Sequence, residues 1–580
     1  MLEWIDQRLR DSLRAELERR RGERVEGLPR GVPVVLVGQR AAGKTTLLPH
    51  VARALRRVGI DLDDELARLS GRSIREWLTE DQRAFRAAER ETFGALRTRA
   101  GVIAVGGGFL SHHADALHGC VVVEVPVSFD TYCERLRADE SRPRLRPELS
   151  LREELREVYA ERERRHAAAR PMAFVEFLLR LARGERARRV VTLPPGVPVE
   201  PFAWRARHEG ADLLEVRTDL HPPELDLVAA SRALPLLIAE RGTPIPASWS
   251  HFELDVPSGE GRGEGVLLSH HAPTPLTPAE ATQHWSHARS PRQRIKHVEP
   301  LGDPQTFPRL LETQARLIEQ FGEGNVTVLA TGPLALPFRA VLSQRNALDY
   351  LSLDTAWRAA EGQRLLSDAV RESRSPSRGA RLGILGSAIA HSRSPRIHAQ
   401  PFDRIELPPD TDVVALTRAL RPHYRGFAVT NPFKQRFEAG RAINTLIRRG
   451  DGYATENTDV AGARATWEAL GKPAQLTVLG DGGVTAALRT LDAKLTIVKR
   501  SDVTTTPLEG AVIWTWPPDV APPAALCFAR TARVAVISYG PPAKRIANEI
   551  TARGGIPLRL GARWFIAQAR RQRELWEQAS

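Results

Sequence analysis

The chain has 580 residues, 42% hydrophobic and 27% charged, with a formal net charge of +14. These are globular values for about three or four domains, and no apolar run reaches the ~18 residues that a membrane-spanning helix needs. The basic excess is spread as arginine along the whole length, with no aromatic-interleaved basic run and no zinc-finger spacing, so neither nucleic acid nor membrane is expected as a partner.

Cys120, Cys133 and Cys527 form no disulfide or metal pattern and no signal peptide is visible, which predicts a cytoplasmic protein. Lysine is scarce: Lys44, Lys296, Lys434, Lys472, Lys494, Lys499 and Lys544 are the whole set. Where arginine is used almost everywhere, a retained lysine points to work that a guanidinium cannot do. Such work is a point charge, an imine-forming amine or a titratable proton donor.

In residues 1–30, Leu2, Ile5, Leu9, Leu13 and Leu17 recur at helical spacing. They predict an amphipathic helix that packs on the next domain or on a partner chain. Residues 31–185 alternate strand and helix patterns, hence a parallel α/β sheet. The apolar run Val34–Val37 leads into GQRAAGKT, Gly38 to Thr45, and then into a helical pattern. That is the strand, glycine-rich turn and helix N-terminus of a P-loop, whose inward backbone N–H groups cradle phosphate. Gly38, Gly43, Lys44, Thr45 and Thr46 form the expected ATP site, with Lys44 on the β/γ-phosphates and Thr45 on Mg²⁺. Downstream come Asp61-Leu-Asp63, Phe85-Arg86-x-x-Glu89, Gly106-Gly107-Gly108, Ser141-Arg142-Pro143 and Tyr159-Ala-Glu-Arg162. In this order the motifs resemble shikimate kinase. The resemblance implies that Asp61 helps hold Mg²⁺ and that Asp63 binds the sugar-acid hydroxyls. It puts the substrate carboxylate on Arg86 and Arg162 beside the Gly107 and Gly108 backbone, and makes Arg142 a catalytic lid arginine.

Residues 188–366 place polar and titratable residues just past the ends of successive apolar strands, the logic of a (β/α)₈ barrel's catalytic face. This series resembles type I 3-dehydroquinate dehydratase. It implies that Lys296 is the Schiff-base lysine and His271 the general acid/base. Glu215, Arg217, Arg241, Arg339 and Gln363 then contact substrate. A buried amine loses pKa and attacks a ketone, while an imidazole moves the protons. Where that family has Glu-Gly-Gly, this chain reads Arg241-Gly-Thr-Pro-Ile-Pro, and the segment is short against the ~250 residues typical of such a barrel.

Residues 367–380 read as a linker. Residues 381–465 carry His391-Ser392-Arg-Ser394-Pro395, Thr430-Asn-Pro-Phe-Lys434, Asn444-Thr445 and Glu456-Asn-Thr-Asp459. These resemble the substrate-binding half of shikimate dehydrogenase. The resemblance implies that Ser392, Ser394, Thr430 and Asn444 bind hydroxyls and carboxylate, with Lys434 and Asp459 as the catalytic pair. In residues 466–580, Gly480-Asp-Gly482-Gly483 follows a strand and Lys499-Arg500-Ser501 ends the next. The resemblance extends to a reduced Rossmann fold with Gly480, Gly482, Gly483 and Arg500 on NADP. Tyr539 and Gln568 match its C-terminal substrate contacts. The helix after Gly483 and the Arg500–Val512 connection are short, and about twenty residues are lacking after His398.

Three modules in this order resemble the C-terminal part of the fungal pentafunctional arom polypeptide, and also the quinate repressor. Two functions follow. One is a multifunctional enzyme acting on 3-dehydroquinate, 3-dehydroshikimate and shikimate with NADPH and ATP. The other is a quinate- or shikimate-sensing regulator or scaffold with degraded dehydratase and dehydrogenase sites. The sequence also allows a homodimer.

Overall fold

Val34–Val37, buried along its whole length, is the central strand of a five-stranded parallel sheet in the computed structural model. The structure describes residues 5–98, 100–137, 146, 148–259, 266–288, 290, 293–375, 380–390, 392–398 and 400–579. The sheet order is Gly59–Asp61, Val102–Ala104, Val34–Val37, Val121–Glu124, Met172–Ala173. A strand with no polar alternation suits this place, because a parallel sheet is covered on both faces. Ile5, with Leu9 and Leu13 of helix Gln7–Arg19, packs into this domain's own core beside Leu178 and Leu181. Leu2 lies outside the described residues.

A second sheet of nine strands belongs to the same compact unit, which comprises Met1–Leu301, Pro308–Ala335 and Arg339–Arg374. Its successive parallel neighbours are Arg188–Thr192, Leu213–Arg217, Leu236–Ala239, Glu253–Pro257, Leu267–His271, Arg294–Pro300 and Val326–Thr331. Leu348–Ser352 pairs with the first of these and closes the ring against the last. The Ala347 N–H donates to the Val326 carbonyl at 2.7 Å, and the Asn346 side chain bonds both backbone groups of Val328. Val190, Leu213, Leu237, Leu267, Leu329 and Leu348 fill the barrel interior.

The barrel is short because helices are missing. After Leu236–Ala239 stands only the 3₁₀ turn Ala247–Trp249, and after Glu253–Pro257 no helix occurs among the described residues. Pro244 and Pro246 remove the N–H groups that a helix would use there, and the buried Trp249 packs against the core instead. The predicted linker needs correction: Leu366–Ser373 is helical, with Leu366 and Ala369 buried against the barrel. Ser367 is exposed and Arg371 half-buried, so composition alone read as a loop.

The N-terminal rim of the barrel is sealed by the P-loop domain. Leu28–Pro29 pairs in parallel with Glu185–Arg186, and Arg30 donates to the carbonyls of Asn346 at 2.6 Å and Gln344 at 3.1 Å. Gly31 adopts φ +68°, and a Cβ there would stand 2.8 Å from the Gly324 oxygen, so only glycine fits this approach.

The other unit comprises Gly302–Phe307, Leu336–Phe338 and Ser375–Ser580. One sheet runs Phe402–Glu406, Arg381–Gly386, Tyr424–Val429, Thr445–Arg449, Gly452–Glu456, with the last two strands antiparallel. The second is all parallel, in the order Lys494–Val498, Gln475–Leu479, Ala511–Trp514, Arg533–Val536, Ile556–Arg559. Gly483–Leu488 is a helix of six residues, and a 3₁₀ turn at Arg500–Asp502 stands where a crossover helix would be. The residues lacking after His398 are made good from the C-terminus. Trp576 of helix Gly561–Gln578 fills that core, and a Cβ on Gly426 would collide with its indole nitrogen.

Glu253 lies between Arg188 and Arg294 inside the barrel. Burial alone would raise its pKa, but the two guanidiniums overcome that and hold it at about 2. The stabilisation is therefore full above the unfolded value of about 4.3 and is lost as pH falls from there toward 2. Urea denaturation across that window should show this slope. Glu253→Gln should flatten it and lower stability at pH 7 by about 3 kcal/mol. An unchanged slope in the variant would contradict the ion-pair assignment.

Candidate active sites

The P-loop turn is set by glycine geometry. Gly38 and Gly43 have φ +142° and +87°, and Gly43 starts helix Lys44–Leu55. Lys44 is buried and its Nζ donates to the carbonyls of Gly38 at 3.0 Å and Gln39 at 2.9 Å. The Thr45 hydroxyl donates to Asp61 at 2.6 Å, so the two expected Mg²⁺ ligands already adjoin. Thr46 is exposed beside them.

Next to the loop opens a pocket lined by Arg40, Asp63, Phe85, Arg86, Gly107 and Arg162 among others. Its floor needs glycine. A Cβ on Gly107 would stand 2.7 Å from the Arg40 amide nitrogen, and one on Gly108 would stand 3.0 Å from the Arg86 guanidinium. Arg86 donates to buried Glu89 at 2.6 Å, and His113 lies 3.2 Å from the same carboxylate. The pocket thus brings two carboxylates, Asp63 and Glu89, and three arginines together. Arg142 lies outside the described residues. Arg40 and Arg135, which donates to the Ala41 carbonyl at 2.6 Å, were not singled out from the sequence. Arg40 stands at a variable position of the P-loop pattern, so no motif marks it.

In the barrel, Lys296 is buried. Its Nζ donates to Asp255 and, at 3.3 Å, to the Tyr350 hydroxyl. Burial pulls its pKa below the ordinary lysine value although Asp255 opposes this. Asp255 is held low by Lys296 and Arg241 against its own burial. Arg241 donates to Asp255 at 2.9 Å, Glu215 accepts from Thr192 at 2.6 Å, and Arg217 pairs with Asp219 at 2.6 Å. Arg339 is buried, donates to the Ala330 carbonyl at 2.7 Å and leaves Nη1 without a hydrogen bond. The buried Gln363 accepts from the Ala359 N–H at 2.7 Å.

His271 is the outlier. It stands exposed at its strand's end with no ring hydrogen bond among the described residues. The packing around its ring, then the charges of Lys296 and Arg241, lower its pKa to about 4, so it is neutral at pH 7. Its neighbour His270 points to the opposite side of the strand and stacks on His284 at 3.6 Å.

In the C-terminal unit, Lys434 Nζ donates to Asp459 at 2.7 Å. Buried Ser392 donates to Ser394 at 3.3 Å. Asn444 is fully buried, its oxygen accepting from the Thr458 N–H at 2.7 Å while its Nδ2 lacks a partner. Thr430 follows strand Tyr424–Val429, and Gln568 and Tyr539 are half-buried, with Arg393 over the Tyr539 ring. Gln572, one turn beyond Gln568, donates to the Asn444 carbonyl and to Thr445.

The glycine turn fits a dinucleotide at one end. A Cβ on Gly483 would stand 3.8 Å from the Lys434 side chain, so the turn abuts the Lys434–Asp459 pair. Gly480, at φ +119°, lies against Thr515 and Trp516, and Gly482 caps the helix. At the other end Arg500 stacks on Trp516 and donates to the Val520 carbonyl at 3.1 Å.

Residues 40–176 match the shikimate kinase family model. A shikimate kinase of Thermobifida fusca is 41% identical over 134 residues, covering 21% of this chain and 75% of that protein. A shikimate dehydrogenase (NADP(+)) of Aromatoleum aromaticum is 31% identical over 198 residues, covering 29% of this chain and 71% of it. A pentafunctional AROM polypeptide of Eremothecium gossypii is 24% identical over 566 residues, 78% of this chain but 35% of that protein.

Asp255→Asn would leave a buried ammonium without its carboxylate. Stability should drop by about 3–5 kcal/mol in chemical denaturation. Adding Lys296→Met should recover most of the loss; additive losses would mean that the two side chains do not act as a pair.

Proposed function

The chain belongs to the shikimate kinase family and to that of the shikimate dehydrogenases, and from this premise we propose that it is a multifunctional enzyme of the shikimate pathway. It dehydrates 3-dehydroquinate, reduces 3-dehydroshikimate with NADPH and phosphorylates shikimate with ATP, in the cytoplasm. One observation carries the enzymatic reading over a sensing one: Lys434 keeps its acid partner Asp459 at 2.7 Å beside the glycine turn, a pair that a pure ligand sensor does not need.

In the kinase, Lys44 leaves the Gly38 and Gln39 carbonyls for the β/γ-phosphates of ATP. Thr45 and Asp61 hold Mg²⁺, which when bound neutralises phosphate charge. Arg86 and Arg162 take the substrate carboxylate against the Gly107 and Gly108 backbone, and Asp63 orients the acceptor hydroxyl. Arg142 acts as the lid arginine.

In the barrel, Lys296 delivers its proton to Asp255 and attacks the ketone carbon. Arg241, Arg217 and the half-satisfied Arg339 supply positive charge for the substrate's carboxylate and hydroxyls, with Glu215 and Gln363 as acceptors. His271, neutral at pH 7, takes and returns the C–H and O–H protons.

In the C-terminal unit, Ser392, Ser394, Thr430, Asn444, Tyr539 and Gln568 hold the sugar acid. Lys434 and Asp459 pass the hydroxyl proton in either direction. Gly480, Gly482, Gly483 and Arg500 would hold NADPH, which when bound would supply the hydride.

Two experiments test these assignments on the purified chain. Lys44→Ala should abolish shikimate-dependent ATP consumption while 3-dehydroquinate with borohydride still adds mass to Lys296; unchanged ATP turnover would refute the kinase assignment. NADPH titration should saturate and weaken by about tenfold in Arg500→Ala. The absence of saturable binding in the parent chain would remove reduction from the proposal.

A further inference from the structure

The Lys296 amine has a second neighbour whose chemistry the dehydratase reading leaves unused. Tyr350, on the last long strand of the barrel, is buried, and its hydroxyl accepts from Nζ at 3.3 Å. Its ring lies under the ammonium with 4.6 Å between Nζ and the centroid. The phenolic proton itself has no acceptor among the described residues, whereas a buried tyrosine hydroxyl ordinarily finds a partner. A hydroxyl with a proton still to give therefore stands within hydrogen-bond reach of Nζ.

His271 stands exposed at the rim without a hydrogen bond to orient it, and the loop after Arg241 offers Gly-Thr-Pro rather than a carboxylate. Imine formation occurs lower in the barrel, at Nζ, where Asp255 and Tyr350 are the groups in contact.

We propose that the Tyr350 hydroxyl is the proton relay for imine formation at Lys296, acting on a cyclic keto acid. The proposal rests on the dehydratase reading. Asp255 takes the ammonium proton, and the free amine forms a C–N bond to the ketone carbon, leaving an alkoxide and a protonated nitrogen. Tyr350 gives its proton to the alkoxide and recovers one from that nitrogen, so a neutral carbinolamine forms and the phenol is restored. The protonated Asp255 then supplies the proton with which the hydroxyl leaves as water. The products are an iminium on Lys296, a carboxylate beside it and one water. Burial raises the phenol pKa well above its ordinary value, so the relay is in its proton-bearing form throughout the neutral range.

The test uses the full chain, 3-dehydroquinate and borohydride, and follows adduct mass on Lys296 against time and pH. Tyr350→Phe keeps the ring under the ammonium and removes only the oxygen. Adduct should still form, but about a hundredfold more slowly and with an altered pH–rate profile, a change that loss of packing alone would not produce. Difluorotyrosine at position 350, nearly isosteric but more acidic, serves as the second variant should the phenylalanine protein not fold. It should move the alkaline limb of the profile to lower pH. Equal rates and profiles in parent and variants would overturn the relay and leave the Schiff base standing. No adduct in the parent chain would overturn both.

Discussion

An ammonium taken out of water must be met by acceptors, and this constraint organises the chain's sites. Lys44 is held by two P-loop carbonyls, Lys296 by Asp255 and Tyr350, and Lys434 by Asp459. An unpaired buried charge would cost several kcal/mol, so each partner is part of the fold as much as of the site. Each arrangement is also one that an incoming ligand can replace. In the proposed reactions phosphate oxygens would displace the peptide carbonyls from Lys44, and a ketone carbon would compete with a proton for Lys296. Lys44 and Lys434 stand just past the ends of their strands, where the loops of such sheets converge, whereas Lys296 projects from within the strand Arg294–Pro300.

The barrel shows what can be removed from a (β/α)₈ framework and what cannot. Helices are dispensable after the third and fourth strands, because Trp249 and the proline-rich loop cover part of the exposed face. The N-terminal rim is not left bare. Arg30 and the Gly31–Gly324 approach close it with the P-loop domain, so a buried charged layer of Arg188, Glu253 and Arg294 can survive beneath the apolar one. The P-loop domain thus supplies a wall that the barrel does not build from its own chain.

Much of this was legible from residues alone where the signal is local. The P-loop needs a strand, a glycine turn and a lysine within a dozen positions, and all three are contiguous in sequence. Lys434 and Asp459 were recoverable because their motifs lie one hairpin apart. Asp255 and Tyr350 were not. Each shares its strand with other polar residues, Glu253 in one and Asp349 in the other, and which of them faces Lys296 depends on register across neighbouring strands, Asp255 with Leu267 and Ser269 with Lys296. His270 and His271 pose the same problem: one step along a strand exchanges barrel interior for exterior. The helix at Leu366–Ser373 was missed because its two serines and Arg371, followed by a Ser-, Arg- and Pro-rich stretch, outvoted two buried apolar residues.

The reduced Rossmann half poses a question of competition rather than of presence. Its glycine turn remains against Lys434, so the reacting end of a dinucleotide has a place. The guanidinium of Arg500, by contrast, already has a face to stack on and a carbonyl to bond. A doubly charged phosphate gains more from a guanidinium than a neutral carbonyl does, because charge-assisted bonds are roughly twice as strong. The Val520 contact can therefore yield while the stacking on Trp516 persists, since a guanidinium stacks with its face and bonds with its edge. On the proposed NADPH reading, Trp516 would then brace Arg500 rather than bar it. The loss of a crossover helix between these strands is tolerable for the same reason: the indole, not a helix, fixes where the charge stands.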